Sequence, residues 1–463
     1  LEKGQMKSYN EFIDSKSQST LFHGFEPTFM PEKAFDFQKF LIGWSVKKGR
    51  GSVFADCGLG KTLMELVWAQ NVVEHTNKPV LILAPLAVSY QFQDEAEKFG
   101  ISCRVSRDGK ITDKIMVTNY QRLHYFNRDD FVGVACDESG CIKHFKGVLQ
   151  RNVTEFMKKM PYRLLATATA APNDYIELGT SSEALGEMGF MDMVNMFFKN
   201  QQNTSDLGRR WANHGGGAPK WDFKKHAETA FWKWVSSWAR AIRKPSDLGF
   251  NDDGFKLPEL IEEQHVIKNT KPLNGKMFIE EAVGNKEEKE ELRTTLNERC
   301  EKAASLANAN GRSVVWCQLN TEGDLLEKLI DSAVQVKGSQ PDEEKEEKLM
   351  AFSRGQIDRL VTKAKIAQFG MNWQNCHHSV SFPSHSWESY YQTIRRFWRF
   401  GQKHNVKSDI VTTPALQRVL NNLRRKADQT DKMFSELISH MNDSIQIKSN
   451  IEPKMEMEKP AWL

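Results

Sequence analysis

The stretch SVFADCGLGKTLMELVWAQ, residues 52–70, restricts the fold more than any other part of the chain. An apolar run, a turn with glycines at 58 and 60, and a helix-forming run follow one another directly. That order is strand, loop, helix. It aims backbone N–H groups and a helix N-terminus at one point, where an anion is favoured. Lys61 adds a point charge that reaches outer phosphates, and the Thr62 hydroxyl suits the magnesium ion that travels with a nucleotide. Ala55 stands where the strict eight-residue pattern has glycine. The flanking strand and helix complete the context, so Gly58, Gly60, Lys61 and Thr62 are assigned to a phosphate loop.

The same alternation continues. PVLILAP (79–85), KIMVTNY (114–120), FVGVACDE (131–138) and YRLLATAT (162–169) read as buried strands, and FDFQKFLIGWSVKK (35–48) and AVSYQFQDEAEKF (87–99) as helices. A second series follows in SVVWCQL (313–319), AVQVKG (333–338), IDRLVTKAKIA (357–367), HHSVSF (377–382) and SDIVTT (408–413). Strands alternating with helices imply a parallel sheet covered on both faces. The expected fold is α/β, with two parallel-sheet lobes at 31–174 and 256–413, and only the first carries a phosphate loop. An N-terminal extension (1–30) precedes them. Between them, 175–255 is rich in tryptophan and reads as a helical insertion, with HGGGAP (214–219) as a loop. In AETAFWKWVSSWARAI, Phe231, Trp234, Val235 and Trp238 share one helical face and predict a packed core. KLPEL (256–260) reads as the hinge into the second lobe, and 414–463 as an amphipathic helix with a tail.

Composition narrows the class. With 463 residues, 40% hydrophobic and 27% charged, the chain suits two or three globular domains. No apolar run reaches the ~18 residues that a membrane helix needs, so no membrane partner is expected. LEKGQ ahead of Met6 reads as an added leader, with Met6 the expected native start. Seven scattered cysteines without a Cys-x-x-Cys pair fit a reducing cytoplasm rather than a disulfide framework or structural zinc. CHH (376–378) lies in an expected strand, whose alternate residues face opposite ways, so it is not taken as a metal site. EEKEE (287–291) and DEEKEE (342–347) read as solvated helix faces, while RRFWRFGQKHNVK (395–407) is strongly basic.

Three further stretches carry chemistry. VACDESG (134–140) ends an apolar strand with adjacent acids. Beside a phosphate loop, Asp137 is assigned to the metal and Glu138 to the attacking water. TATAAPND (167–174) closes another strand with hydroxyls, as a nucleotide sensor or as a plain strand end. In YYQTIRRFWRFGQ (390–402), Arg395, Arg396 and Arg399 fall within two helical turns. Guanidinium groups brought against a γ-phosphate stabilise charge in transfer, which would link hydrolysis to closure of the lobes. A basic patch for nucleic acid is the competing reading of the same residues.

DCGLGKT, LILAPLAVSYQFQDEAEKF, VTNYQRL, CDESGCIKHF, TATAAPN, FGMNW and QTIRRFWRFGQ occur in the order of the superfamily two helicase motifs. The chain resembles the SWI/SNF-type branch, and more narrowly the compact helicase-like ATPases encoded by phages and prophages, over roughly residues 30–413. The resemblance implies two RecA-like lobes with ATP and Mg2+ between them. It implies that Gln38 reads adenine and that Arg396 and Arg399 are arginine fingers. Thr167, Thr169, Gly370, Asn372 and Gln392 would couple nucleotide to DNA. The nucleic acid, expected to be duplex DNA, would lie near Pro85, Thr118, Asn119, Thr362 and Lys363. The implied activity is ATP hydrolysis that drives translocation on the duplex. Strand separation, or a nucleotide-gated clamp without productive turnover, are the alternatives. Three departures stand out: Asp-Glu-Ser-Gly replaces the Asp-Glu-Gly-His of chromatin-remodelling relatives, Ala170 stands where proline is common, and Arg395 replaces an acid.

Overall fold

The apolar runs of the sequence become the strands of two parallel sheets in the computed structural model, which describes residues 22–85, 88–143, 145, 147–200, 221–267, 285–367 and 372–449. The first sheet uses β1 (Arg50–Ala55), β2 (Val80–Ala84), β3 (Arg104–Val105), β4 (Ile115–Asn119), β5 (Gly133–Cys136) and β6 (Tyr162–Thr167). A separate antiparallel pair follows, β7 (Phe198–Asn200) with β8 (Trp221–Phe223). Then β9 (Ala239–Ile242) returns to the first sheet, giving the order β3-β4-β2-β5-β6-β1-β9. The second sheet holds β10 (Leu260–Val266), β11 (Ser313–Cys317), β12 (Ala333–Val336), β13 (Arg359–Lys363), β14 (His378–Ser381) and β15 (Val406–Thr412), in the order β10-β15-β14-β11-β13-β12. The fold is therefore α/β with two parallel-sheet lobes.

The central strands are buried along their whole length, as β2, β4 and β11 show. Parallel strands covered on both faces need such continuous apolar runs. Helix Asp36–Lys48 packs on helix Lys61–Thr76, and their apolar residues, Leu41, Ile42, Leu66 and Trp68 among them, share a core with Val53, Val80 and Ile82 of the sheet. On the other face a second core gathers Phe54, Leu83, Cys136 and Leu165 with the helices between β6 and β9.

The tryptophan-rich helix Ala227–Trp238 belongs to that core. Phe231, Val235 and Trp238 are fully buried and Trp234 is 8% exposed. The helix stops at Trp238, and the next four residues form β9 instead of the helical continuation expected from the sequence. Pairing with β1, Ser52 opposite Ala239 through Ala55 opposite Ile242, overrides the helical pattern. HGGGAP, the first 21 residues and Gly370 lie outside the described residues.

Helix Gln417–Ser449 touches both lobes. Near its start, Val419 packs with Leu292, and Leu420 and Leu423 with Ile410, in the second lobe. Further on, Met433, Phe434, Leu437 and Met441 enter the first-lobe core beside Trp238 and Ala241. Ion pairs Arg243–Asp431 (3.2 Å) and Lys432–Glu228 (2.7 Å) flank that contact. Among the described residues no helix is long and apolar enough to cross a membrane.

Trp238 stands edge-on to Phe54 and Trp234, with centroids 6.2 and 5.5 Å away. Truncating a fully buried tryptophan costs about 3–5 kcal/mol. Trp238→Ala should lower the urea midpoint of the first lobe accordingly, whereas Trp387→Ala in the second lobe should leave that transition in place.

Candidate active site in the cleft between the lobes

Backbone geometry explains both glycines of the phosphate loop. Gly58 and Gly60 have φ of 88° and 82°, a region glycine enters without strain. A Cβ on Gly60 would lie 2.3 Å from Gln38 Nε2, and one on Gly58 would lie 3.0 Å from the Phe400 nitrogen of the second lobe. The loop is thus wedged between helix Asp36–Lys48 and the opposite lobe. Gln38 donates to the Leu59 carbonyl at 2.9 Å and accepts from the Phe35 N–H at 3.0 Å. Lys61 and Thr62 open the helix that follows.

Strand β5 delivers the two acids beside this loop. Lys61 Nζ lies 3.9 Å from Glu138 Oε1 and donates to the Ala55 carbonyl at 3.2 Å. Burial opposes the charge on Lys61, but Glu138, Asp137 and Asp56 outweigh it and hold its pKa above the ordinary value. Glu138 adopts φ 48°, ψ 48°. That left-handed conformation is uncommon for a residue with a side chain and collects at functional sites. Asp137 is 4% exposed. Burial and the neighbouring Glu138 push its carboxyl up to about 7, against the pull of Lys61. Glu65, one turn into the same helix as Lys61, is fully buried with neither carboxyl oxygen hydrogen-bonded. Burial, then Asp137, drives its pKa well above the carboxylate range, which keeps it neutral.

Hydroxyls extend the site toward the second lobe. Thr167 Oγ1 donates to Glu138 Oε2 at 3.3 Å and accepts from the Thr169 N–H at 3.0 Å. Thr169 Oγ1 donates to Glu388 Oε1 of the second lobe at 3.4 Å, and Lys143 forms an ion pair with the same carboxylate. A polar chain therefore runs from Lys61 across the cleft.

The arginines do not occupy two helical turns. Helix Trp387–Ile394 ends before them, and Arg395, Arg396 and Arg399 lie in the turns beyond. The chain folds back there through Phe397 N–H to Ile394 O (3.1 Å) and through Gly401 at φ 88°. This departure brings them to the phosphate loop: a Cβ on Gly58 would meet Arg399 Cβ at 3.4 Å. Burial and neighbouring Arg399 push the Arg396 guanidinium down to about 10, while Glu138 and Cys57 act in the opposite sense. Burial also lowers Arg399, whose Nε is buried and makes no hydrogen bond. Arg395 reaches Asp56 beside the loop, with Nε 3.2 Å from Asp56 Oδ1 and Nη2 bonded to Asp56 Oδ2.

Crowded guanidinium groups and a lysine beside N–H groups of a glycine loop fit a polyphosphate. Thr62 and Asp137 offer a divalent cation one hydroxyl and one carboxylate. The buried, unbonded Arg399 Nε is a donor that such an anion would satisfy.

Other expected site residues are placed less directly. Asn372 is exposed and precedes Trp373, whose N–H donates to the Arg396 carbonyl at 3.0 Å. Gln392 is 5% exposed, with Oε1 unbonded. Thr118, Asn119 and Thr362 are 1%, 5% and 0% exposed. Thr118 and Thr362 donate to main-chain carbonyls, and Asn119 caps the Arg122 N–H. Pro85 is half-buried at the end of β2. Lys363 is half-buried and lines a cavity of about 400 Å³ with Lys337, Asn320 and Gln335, at the carboxyl ends of β11, β12 and β13.

Sequence reasoning missed Asp56, Tyr391, Lys143 and Glu388. Asp56 had a signal: an acid beside a phosphate loop repels its ligand unless a cation answers it. Among the described residues one group has metal-like spacing, Glu263, His265 and Asp409. Lys407 Nζ already lies 3.0 and 3.3 Å from Glu263 and Asp409, so a cation is built in. His378 Nε2 of the CHH stretch donates to the same Asp409 carboxylate, Oδ2, at 2.8 Å.

Residues 295–401 are similar to the helicase conserved C-terminal domain. No curated protein matches the chain. Among solved structures, the chain is similar to the Sulfolobus solfataricus SWI2/SNF2 ATPase core in complex with dsDNA, at 17% identity, covering 93% of this chain and 99% of that one, with a TM-score of 0.41.

Because the folded pKa of Asp137 exceeds its ordinary 3.8, its stabilising contribution is complete below that value and is lost as pH rises toward 7. Asp137→Asn should therefore raise the melting temperature of the ligand-free protein at about pH 8, with little gain at about pH 4. Equal shifts at both pH values would show that Asp137 is not held neutral.

Proposed function

We propose that the chain is a nucleic-acid-stimulated ATPase that translocates on duplex DNA. One observation carries this reading: Lys61, Asp137 and Glu138 of the first lobe share a cleft with Arg396 and Arg399 of the second. The likeness of residues 295–401 to a helicase domain supports the same class. Bound Mg-ATP supplies the scissile phosphoanhydride and an ion that neutralises its oxygens.

The protein groups then take distinct roles. Gly58, Gly60 and Lys61 cradle the phosphates, and Thr62 and Asp137 hold the ion. Gln38 contacts the adenine. Glu138 orients the attacking water and takes its proton, while Arg396 and Arg399 stabilise charge on the transferring group. Thr167 and Thr169 connect Glu138 to Glu388, a route by which the phosphate site is felt in the second lobe. Asn372, beside the arginine turn, and Gln392 belong to the same coupling, as does Gly370. For the nucleic acid, Lys363 offers a backbone-phosphate contact, with Pro85, Thr118, Asn119 and Thr362 shaping the strand ends around the track. The proposed units are lobes at 31–174 and 256–413, the insertion at 175–255, whose strand β9 completes the first sheet, and the C-terminal segment from 414. Seven free cysteines fit a cytoplasmic setting.

ATP turnover should rise with DNA, and binding should weaken steeply with salt because phosphate contacts dominate. Lys61→Ala should abolish nucleotide binding. Arg399→Ala should lower kcat by about 1,000-fold with nucleotide affinity retained. Glu138→Gln should bind ATP and stall, losing about 100-fold or more in turnover; hydrolysis at the wild-type rate would remove Glu138 from its role. Triplex displacement without strand release supports duplex tracking, and strand release would favour an unwinding helicase.

A further inference from the structure

We propose that Arg395 is a positioning residue: clamped on Asp56 together with Tyr391, it fixes the turn that carries Arg396 and Arg399 to the phosphate loop. This rests on reading the cleft as the ATP site. The clamp is a fork. Arg395 Nε lies 3.2 Å from Asp56 Oδ1, Nη2 bonds Asp56 Oδ2, and the Tyr391 hydroxyl bonds Asp56 Oδ1. Side-chain exposure is 4% for Arg395 and 10% for Asp56, so water does not screen the pair.

Both ends of the clamp are tied to the parts it would align. Asp56 Oδ1 accepts from the Cys57 N–H at 2.6 Å, which fixes the carboxylate to the phosphate loop. Arg395 Nη1 donates to the Trp398 carbonyl at 2.9 Å, one residue before Arg399. The guanidinium lies 4.9 Å from the Trp398 ring centroid, and Trp398 Nε1 donates to the Pro258 carbonyl in the hinge at 2.7 Å. Moving Arg395 off Asp56 therefore releases the turn between 395 and 399.

The clamp also has an electrostatic task. Asp56 adjoins the loop that takes a polyphosphate, and its charge would oppose that ligand. Arg395 neutralises it. Two effects then separate by measurement. Loss of position lowers kcat, because misplacement by about 1 Å can cost about 100-fold. An uncovered Asp56 raises KM through repulsion.

The experiment measures steady-state DNA-stimulated ATP hydrolysis, together with amide hydrogen exchange over 56–60 and 395–400, in the full chain. Arg395→Gln should lower kcat by about 30- to 100-fold and raise KM by about 10-fold. Adding Asp56→Asn should return KM to within about 3-fold of wild type while kcat stays low. Tyr391→Phe, which keeps the ring packing, should lower kcat by about 3- to 10-fold with KM unchanged. Both Arg395→Gln and Tyr391→Phe should speed exchange in the two segments. Unchanged exchange and unchanged kcat in both variants would overturn the clamp, as would a KM that the second substitution fails to restore. A wild-type chain that never hydrolyses ATP overturns the proposed function instead, and exchange alone then decides the clamp.

Discussion

Both glycines of the phosphate loop have positive φ and close neighbours, so a side chain at either would be strained, and that constraint organises the molecule. Gly60 faces Gln38, and Gly58 faces the backbone of Phe400 across the cleft. The loop therefore reaches its conformation between two lobes rather than on one. Phe400 continues the contact, stacking on Phe255 at 4.6 Å and meeting Phe35 edge-on at 6.2 Å.

Charge placement follows from that closeness. Arg395, Arg396, Arg399 and Lys61 converge near three acids, Asp56, Asp137 and Glu138. Burial penalises every one of these charges unless it finds an opposite partner. Arg395 finds Asp56, and Lys61 finds Glu138 at longer range. Burial lowers the pKa of both Arg396 and Arg399, and the Arg399 Nε makes no hydrogen bond. An imbalance held in a low-dielectric cleft is a reservoir of affinity for an anion, since preorganised donors need no rearrangement when the ligand arrives.

Much of the fold was legible because its central strands are buried on both faces and write themselves as continuous apolar runs. VLILA and SVVWC needed no further context. Strand β10, LIEEQHV, was not legible: it lies at the sheet edge with most side chains exposed, so polar residues are tolerated. Strand β9 hid in a helical pattern that only pairing with β1 overrides. In the site, Lys61, Asp137 and Glu138 could be read because each sits beside a recognisable strand end. The partner of Arg395 could not, since Asp56 lies 339 residues away and only folding brings them together. What the sequence did show was that Arg395 breaks the expected pattern with a reversed charge, and the structure supplies the acid that this reversal answers.

Among the described residues, the contacts between the lobes differ in kind. The clamp at Asp56 and the Thr169–Glu388–Lys143 contact are polar and sit at the cleft. Helix Gln417–Ser449 is a long amphipathic strap whose apolar face is anchored by Leu420 in one lobe and Phe434 in the other. Polar contacts depend on local charge, so under the proposed function a polyphosphate in the cleft would compete for them directly. The strap holds chiefly through buried apolar side chains, with ion pairs only at its flank. A hinge motion would then be controlled at the cleft, where ligand chemistry acts, while the strap limits how far the lobes separate. Coupling of this form needs no wire through the core: it needs one contact set that answers to the nucleotide and another that does not.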